Sequence, residues 1–185
     1  MENLSTTPEE VRSQSKVAAV FSDHLRAEGA VRELAGAGFD MRHLSIVGRD
    51  YHTEERVTGF YNAGDRVKYW GKQGAFWGSV FGILFAPAFF VVPGIGPILT
   101  GGIIGSAIMG MLEGGLLGAA AGAGLSTLGA ALVSLGIPED SVLHYERQLG
   151  ADRYVLLVHG DSAEVARARE ILARMATETT IHPPA

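Results

Sequence analysis

Two segments with alternating strand and helix patterns flank one long apolar block. In the first segment, residues 17–21 are an apolar run of strand length, and the residues after it, Ser22 and Asp23, commonly cap helices. Apolar positions at helical spacing then continue to Gly36, where a helix is expected to end. Residues 43–48 follow as a second apolar strand. The amino-terminal segment therefore predicts a strand, a helix and a strand.

The carboxyl-terminal segment repeats this order. Residues 154–159 have a strand pattern, and Asp161 with Glu164 three residues later matches a helix capping box. Residues 165–175 carry the apolar stripe of a helix, and 179–182 predict an edge strand. Two such halves predict a split ferredoxin-like α+β sandwich, βαβ…βαβ, whose one sheet of four strands carries helices on one face.

The block between the halves predicts an apolar helical hairpin over residues 74–118. Residues 74–92 carry no charge, and a helix of this length rises about 28 Å, close to the hydrocarbon core of a bilayer. Residues 93–97, rich in proline and glycine, are expected to turn the chain into a second helix over 98–118. The predicted organisation is therefore a flexible polar tail at 1–16, the first half of the α/β domain at 17–50, an aromatic and basic juxtamembrane segment at 51–73, the hairpin at 74–118, and connecting helices with the second half at 119–185.

Small residues recur every fourth position in this block and form a glycine-zipper pattern. In lipid, such a stripe lets helices approach closely, and close packing there replaces the hydrophobic effect as the source of association. A water-soluble oligomer that hides the hairpin at its centre would use the same pattern. The stripe predicts helix packing and self-association at Gly74, Gly78, Gly82, Gly102, Ser106, Gly110, Gly114, Gly118 and Gly122.

The charges are segregated from the apolar block, since 34 of the 35 charged residues lie outside positions 74–137. Glu113 is the exception, and we interpret it either as a polar lock between subunits or as a side chain that reaches water at the end of its helix. Aromatic and basic residues before and within the first apolar helix suit the interface of a membrane with its cytoplasmic side. These interfacial residues are Tyr69, Trp70, Trp77, Arg66, Lys68 and Lys72.

Composition excludes several classes of chemistry. The net charge of −5 disfavours binding to nucleic acid, and the absence of cysteine excludes disulfides and thiolate metal sites. No nucleotide-binding loop, nucleophile elbow or zinc-protease motif is present. Among the histidines, His43, Asp50 and His52 could converge with His159, but their spacing matches no metal motif. We therefore expect no catalytic residues, no cofactor and no metal.

Several stretches resemble a bacterial family of glycine-rich membrane proteins, the general stress proteins of the heat-induced type. The resemblance covers about residues 17–175 and is carried by VGRDYHTEE at 47–55, GFYNAGDRVKYWGK at 59–72, GAFWG at 74–78, PGIGP at 93–97 and GIPEDSVLHYE at 136–146. It implies a membrane-associated bacterial protein with a split α/β domain, and it brings no catalytic residues.

These observations predict a non-enzymatic, homo-oligomeric and membrane-associated scaffold that acts under stress. It is expected in the bacterial inner membrane, in contact with lipid, with the α/β domain on the cytoplasmic side by the positive-inside rule. The alternative functions are an oligomeric pore or conduit for ions or a lipophilic molecule, or a soluble assembly that buries its apolar hairpins.

Overall fold

The computed structural model describes residues 8–49, 88–92, 96–113 and 126–184. The described residues form one mixed α+β structure with a six-stranded sheet and six α-helices. The strands are β1 (Ser15–Phe21), β2 (Leu44–Arg49), β3 (Ala88–Val92), β4 (Gly96–Gly101), β5 (Tyr154–Gly160) and β6 (Glu178–His182). The helices are α1 (Pro8–Arg12), α2 (His24–Gly36), α3 (Ile103–Glu113), α4 (Thr127–Ser134), α5 (Glu139–Gly150) and α6 (Ser162–Leu172), and a short 3₁₀-helix (Met41–His43) precedes β2.

The strands lie in the order β3-β4-β2-β5-β1-β6, and every neighbouring pair is antiparallel. Strand β1 therefore lies between two strands from the carboxyl-terminal half of the chain. The register places Val17 opposite Val158 of β5 and opposite Ile181 of β6. This pairing joins the two halves of the chain into one sheet.

Side chains of β1 alternate between two apolar layers, one on each face of the sheet. Val17 and Ala19 pack in a cluster with α2 and α6, whereas Ala18 and Val20 pack in a cluster with α3, α4 and α5. Helices thus cover both faces of the sheet in the described residues. The predicted sheet of four strands with helices on one face is wrong on both counts, because two extra strands and a second helical layer are present.

The expected helical hairpin is wrong over residues 88–92 and 96–101, whereas helix α3 lies within the predicted second helix. Residues 88–92 and 96–101 were predicted to be mostly helix and turn, but they pair with each other as β3 and β4. Strand β4 also pairs with β2, from Ile46 opposite Gly101 to Arg49 opposite Ile98. Aromatic and β-branched residues make up four of the five residues of β3, and β4 contains Ile98 and Thr100. Such residues favour strands once a sheet edge is available to them. The rest of the first predicted helix, 74–87, lies outside the described residues.

The amino-terminal region also differs from the expected polar tail at 1–16. Helix α1 occupies residues 8–12, its Val11 is fully buried, and β1 already begins at Ser15. In the described parts of the chain, no helix is both long enough and apolar enough to cross a membrane.

Candidate functional site

Three ionisable side chains form a row across one end of the sheet. Lys16 of β1 is paired with His159 of β5 on one side and with His182 of β6 on the other. Directly opposed residues in antiparallel strands point to the same face of the sheet, so the three side chains are neighbours. All three are buried, with 0%, 0% and 3% of their surface exposed for Lys16, His159 and His182. We call this set the basic row.

Lys16 is held by backbone carbonyl groups of the segment before β1. Its Nζ donates to the carbonyl oxygen of Gln14 at 2.7 Å and to that of Arg12 at 3.2 Å. Burial, and then the positive charge of Arg12, lower the pKa of Lys16 to about 8. The side chain therefore fixes the chain that precedes β1, although burial weakens its hold on a proton.

His159 lies between Lys16 and His43. Its Nδ1 is 3.1 Å from Oε1 of Gln14, which accepts a hydrogen bond when the proton resides on Nδ1. Its Nε2 is buried and has no hydrogen-bond partner in the described residues. Burial, together with the charges of His43 and Lys16, lowers the pKa of His159 to about 4. The ring is therefore neutral near pH 7.

His43 continues the row beyond β5. The centroids of the His43 and His159 rings are 5.2 Å apart. Nδ1 of His43 lies 3.5 Å from Oε2 of Glu164, the residue at the amino end of α6 that approaches Gly160. A carboxylate is therefore present beside His43, close to the end of β5.

Helix α5 closes the other end of the row. Nε2 of His182 is 2.7 Å from the hydroxyl oxygen of Tyr145, a residue only 2% exposed. Burial raises the pKa of Tyr145 to about 12, and burial is also the main reason why the pKa of His182 is lowered. Nε2 of His144 lies 2.9 Å from Oε2 of Glu178, which is on β6 together with His182. Two polar pairs therefore join α5 to β6.

The histidine set considered from the sequence is brought together only in part. His43 and His159 are neighbours at the start of β2, while Asp50 and His52 lie outside the described residues. Within the described ranges, no group of three or more His, Cys, Asp or Glu side chains could hold a metal ion. The basic row instead gathers three buried titratable side chains whose pKa values are all lowered by burial.

The small-residue stripe falls on different structural features than expected. Gly102 has a φ of +74° and forms the turn between β4 and α3, so it is not a helix-packing residue. Ser106 and Gly110 lie on the exposed side of α3, and a Cβ added to Gly110 would meet no described atom within 4 Å. Glu113 is the last residue of α3, and its side chain is outside the description. The remaining stripe and interfacial residues lie outside the described ranges, namely Gly74, Gly78, Gly82, Gly114, Gly118, Gly122, Tyr69, Trp70, Trp77, Arg66, Lys68 and Lys72.

Helix α3 therefore has two chemically different sides. Ile104 and Ile108 are fully buried in the core cluster beneath the sheet. On the opposite side, Ser106, Met109 and Gly110 are exposed, with Met109 at 43%. We call these three residues the α3 outer face.

Sequence reasoning missed the basic row because its main signals are long-range. Lys16 was assigned to a polar tail, and nothing local indicates that a lysine beside an apolar run is buried. His182 was recognised only as the end of an edge strand. One signal was available in the strand patterns of 17–21 and 154–159. Alignment of these two strands as an antiparallel pair could have placed Lys16 opposite His159.

Residues 16–88 match the family model described as the heat induced stress protein YflT domain. The match begins in β1, includes α2 and β2, and ends at the first residue of β3. It covers less than half of the chain and supports a similarity to general stress proteins. The match carries no information on a membrane or on the glycine-rich pattern. Neither a curated protein nor a solved structure matches the chain.

Proposed function

We propose that this chain is a stress-related, non-enzymatic scaffold that assembles with copies of itself through the α3 outer face. The stress-related role rests on the match of residues 16–88 to the heat induced stress protein domain. The observation that carries self-association is Gly110, a helical glycine exposed on α3 with open space where a Cβ would lie. Glycine within a helix costs about 0.5–1 kcal/mol relative to alanine.

Among the described residues, no neighbouring atom requires glycine at position 110. Other glycines have such a neighbour, since a Cβ at Gly129 would lie 2.7 Å from Oε1 of Glu146 on the neighbouring helix. At Gly110 the described chain supplies no such neighbour. A helix from a second copy would supply one, because small residues allow the backbones of two helices to approach closely. Exposed Met109 beside Gly110 adds an adaptable apolar contact.

An assembly of chains suits α3 better than a bilayer does. The helix has 11 residues and a length of about 16 Å, compared with about 30 Å for a hydrocarbon core. Its bulky apolar residues, Ile104 and Ile108, are already buried in the core of the chain. Location at the bacterial inner membrane stays a prediction of the sequence, which fractionation of cells tests.

For the fold, we infer that β1, β2, β5 and β6, the strands from the two ends of the chain, form a split ferredoxin-like unit. Their order β2-β5-β1-β6 supports this inference, as do α2 and α6, which each follow a central strand and pack on the same face. We assign no catalytic role to the chain. The pore alternative has no supporting observation in the described ranges.

Gly110→Arg is expected to reduce the mass of the assembly toward that of one chain. The substitution puts a long charged side chain where a second helix should approach, while the single chain has room for it. Light scattering coupled to size-exclusion chromatography measures the mass directly. Gly36→Arg is the matched control, because Gly36 is also a helical glycine whose added Cβ would meet nothing within 4 Å.

The wild-type chain should be oligomeric, and the Gly36→Arg chain should keep the same mass. A monomeric wild type would contradict the proposal, as would an unchanged mass for Gly110→Arg. The equivalent loss of mass in both variants would place the interface elsewhere. Far-UV circular dichroism verifies that each variant retains the secondary structure of the wild type.

A further inference from the structure

The segment before β1 is fastened to the end of the sheet by polar contacts with the basic row. We call residues 8–14 the amino-terminal segment. Lys16 donates to two of its carbonyl groups, and His159 contacts its last residue, Gln14. The segment also buries Val11 completely in the apolar cluster that contains residues of α3 and α4. It therefore covers apolar surface while depending on a titratable residue for part of its attachment.

We propose that the amino-terminal segment is an acid-sensitive latch, which protonation of His159 releases from the sheet to uncover the apolar surface of α3 and α4 beneath Val11. This inference is independent of self-association, because it concerns contacts within one chain. Its physical basis is that a neutral, fully buried imidazole can become charged only by regaining water or a new partner. The amino-terminal segment contacts this ring through Gln14, and its departure would admit water to the ring.

The surroundings of His159 oppose a second positive charge. Lys16 is its direct partner on β1, and His43 lies beside it on the other side. Both residues act to lower the pKa of His159, and no carboxylate is among the causes of this shift. The charged or titratable groups that the described residues place around the row are Lys16 from β1, His43 from the 3₁₀-helix, Arg12 from α1, His182 from β6, Glu164 from α6, and Asp140 and Tyr145 from α5.

The two carboxylates in this set are placed on its outer members. Glu164 lies beside His43, and Asp140 acts on His182. In the described structure, neither carboxylate is a partner of His159. Nε2 of His159 has no hydrogen-bond partner among the described residues. A proton on Nε2 would therefore create a buried donor with nothing to accept from it. Release of Gln14 relieves this situation by opening the ring to solvent.

The direction of the pH effect follows from the two pKa values of His159. In the closed state the pKa is about 4, compared with 6.5 for an unperturbed histidine. The open state therefore binds more protons than the closed state between these values, and acidification favours opening. The free energy that favours the closed state over the open state therefore decreases progressively as the pH falls from 6.5 to about 4. If the ring is fully exposed in the open state, the ratio of open to closed chains rises roughly 300-fold across this interval.

Local release is expected because the helix in the segment is short and the segment lies outside the sheet. Helix α1 has only 5 residues, and a helix this short is marginal without tertiary contacts. The strands that hold His159 and Lys16 are central in the sheet, with a partner on each side. Segments with few buried contacts open at a lower free energy than such central strands.

Hydrogen exchange of the full-length chain tests the latch between pH 7 and pH 4. Protection factors, which correct for the pH dependence of intrinsic exchange, are compared for backbone amides of 9–14 and of β5. The expected result is a progressive loss of protection in the amino-terminal segment below pH 6.5, while β5 stays protected. Unchanged protection of the segment would overturn the latch, as would simultaneous loss in the segment and in β5.

His159→Gln should abolish most of this pH dependence, since glutamine retains a polar group and cannot take up the proton. The control is His144→Gln, which alters an exposed histidine paired with Glu178 and should leave the response of the segment intact. The same response in His159→Gln and in the wild type would overturn the role of His159. Should His159→Gln fail to fold, an NMR titration of the His159 ring in the wild type decides the question. Opening at a pH where this ring remains neutral would refute the latch.

Discussion

Gly102→Ala is expected to lower the free energy of unfolding by about 2–5 kcal/mol, the largest single-residue effect that we predict. Gly102 has a φ of +74°, a conformation that costs L-residues about 1–2 kcal/mol. An added Cβ would lie 2.3 Å from the carbonyl oxygen of Leu44 and 2.6 Å from Oγ of Ser45. The backbone cannot move away freely, because the amide of Ile103 donates to that same Oγ.

Urea denaturation, followed at a concentration where the chain is monomeric, measures this loss. Gly110→Ala is the matched control, since it replaces another residue of the same predicted stripe. Position 110 lies inside a helix, and no described atom lies within 4 Å of the added Cβ. Gly110→Ala should therefore raise the free energy of unfolding by about 0.5–1 kcal/mol. Equal effects of the two substitutions would contradict the different roles that we assign to Gly102 and Gly110.

Gly48→Ala is expected to destabilise the chain by about 1–3 kcal/mol. The register of β2 and β5 pairs Val47 with Val155 and so places Gly48 across from Tyr154. A Cβ on Gly48 would lie 2.2 Å from the Tyr154 ring, which covers the glycine. The hydroxyl of Tyr154 donates to the carbonyl oxygen of Arg49, so a displaced ring would also lose this hydrogen bond.

A double-mutant cycle isolates the contact between the ring and the glycine. In a Tyr154→Ala background the space above Gly48 is empty, so Gly48→Ala should cost much less there. Chemical denaturation of the wild type, both single variants and the double variant gives the coupling energy. The same loss in both backgrounds would show that the ring is not the cause.

The strands and helices at the two ends of the chain could be predicted because their signals are local. The apolar run 17–21 lies within β1, and the Asp161 and Glu164 pair marks the start of α6, where Asp161 accepts from the amide of Glu164. Each of these signals operates within a few residues. The pairing of β1 with β5 and β6 followed from the repeat of the pattern.

The β3–β4 hairpin could not be predicted in the same way. An uncharged apolar run has no periodicity that separates a buried strand from a buried helix. Residues 96–101 pair with the edge of β2, and residues 88–92 pair in turn with 96–101, so both strands depend on tertiary structure. Glycine spacing was also ambiguous, since Gly102 serves a turn and Gly110 an exposed helix face.

The basic row depends still more on long-range structure. Lys16, His159 and His182 are far apart in the sequence, and only the register of two antiparallel pairs makes them neighbours. Lys16 donates to the carbonyl groups of Arg12 and Gln14, and His182 contacts Tyr145 of α5. Composition alone indicated surface residues, because lysine and histidine are usually solvated.

The most direct test of the scaffold is an NMR experiment that detects contacts between copies without altering the sequence. Isotope-labelled and unlabelled chains are mixed, and filtered NOE spectra select contacts from one copy to another. We predict NOEs from the Met109 methyl group to protons of Ser106 and Gly110 in the other copy. Intermolecular NOEs confined to other surfaces, such as exposed Leu25 on α2, or none at all, would contradict self-association through the α3 outer face.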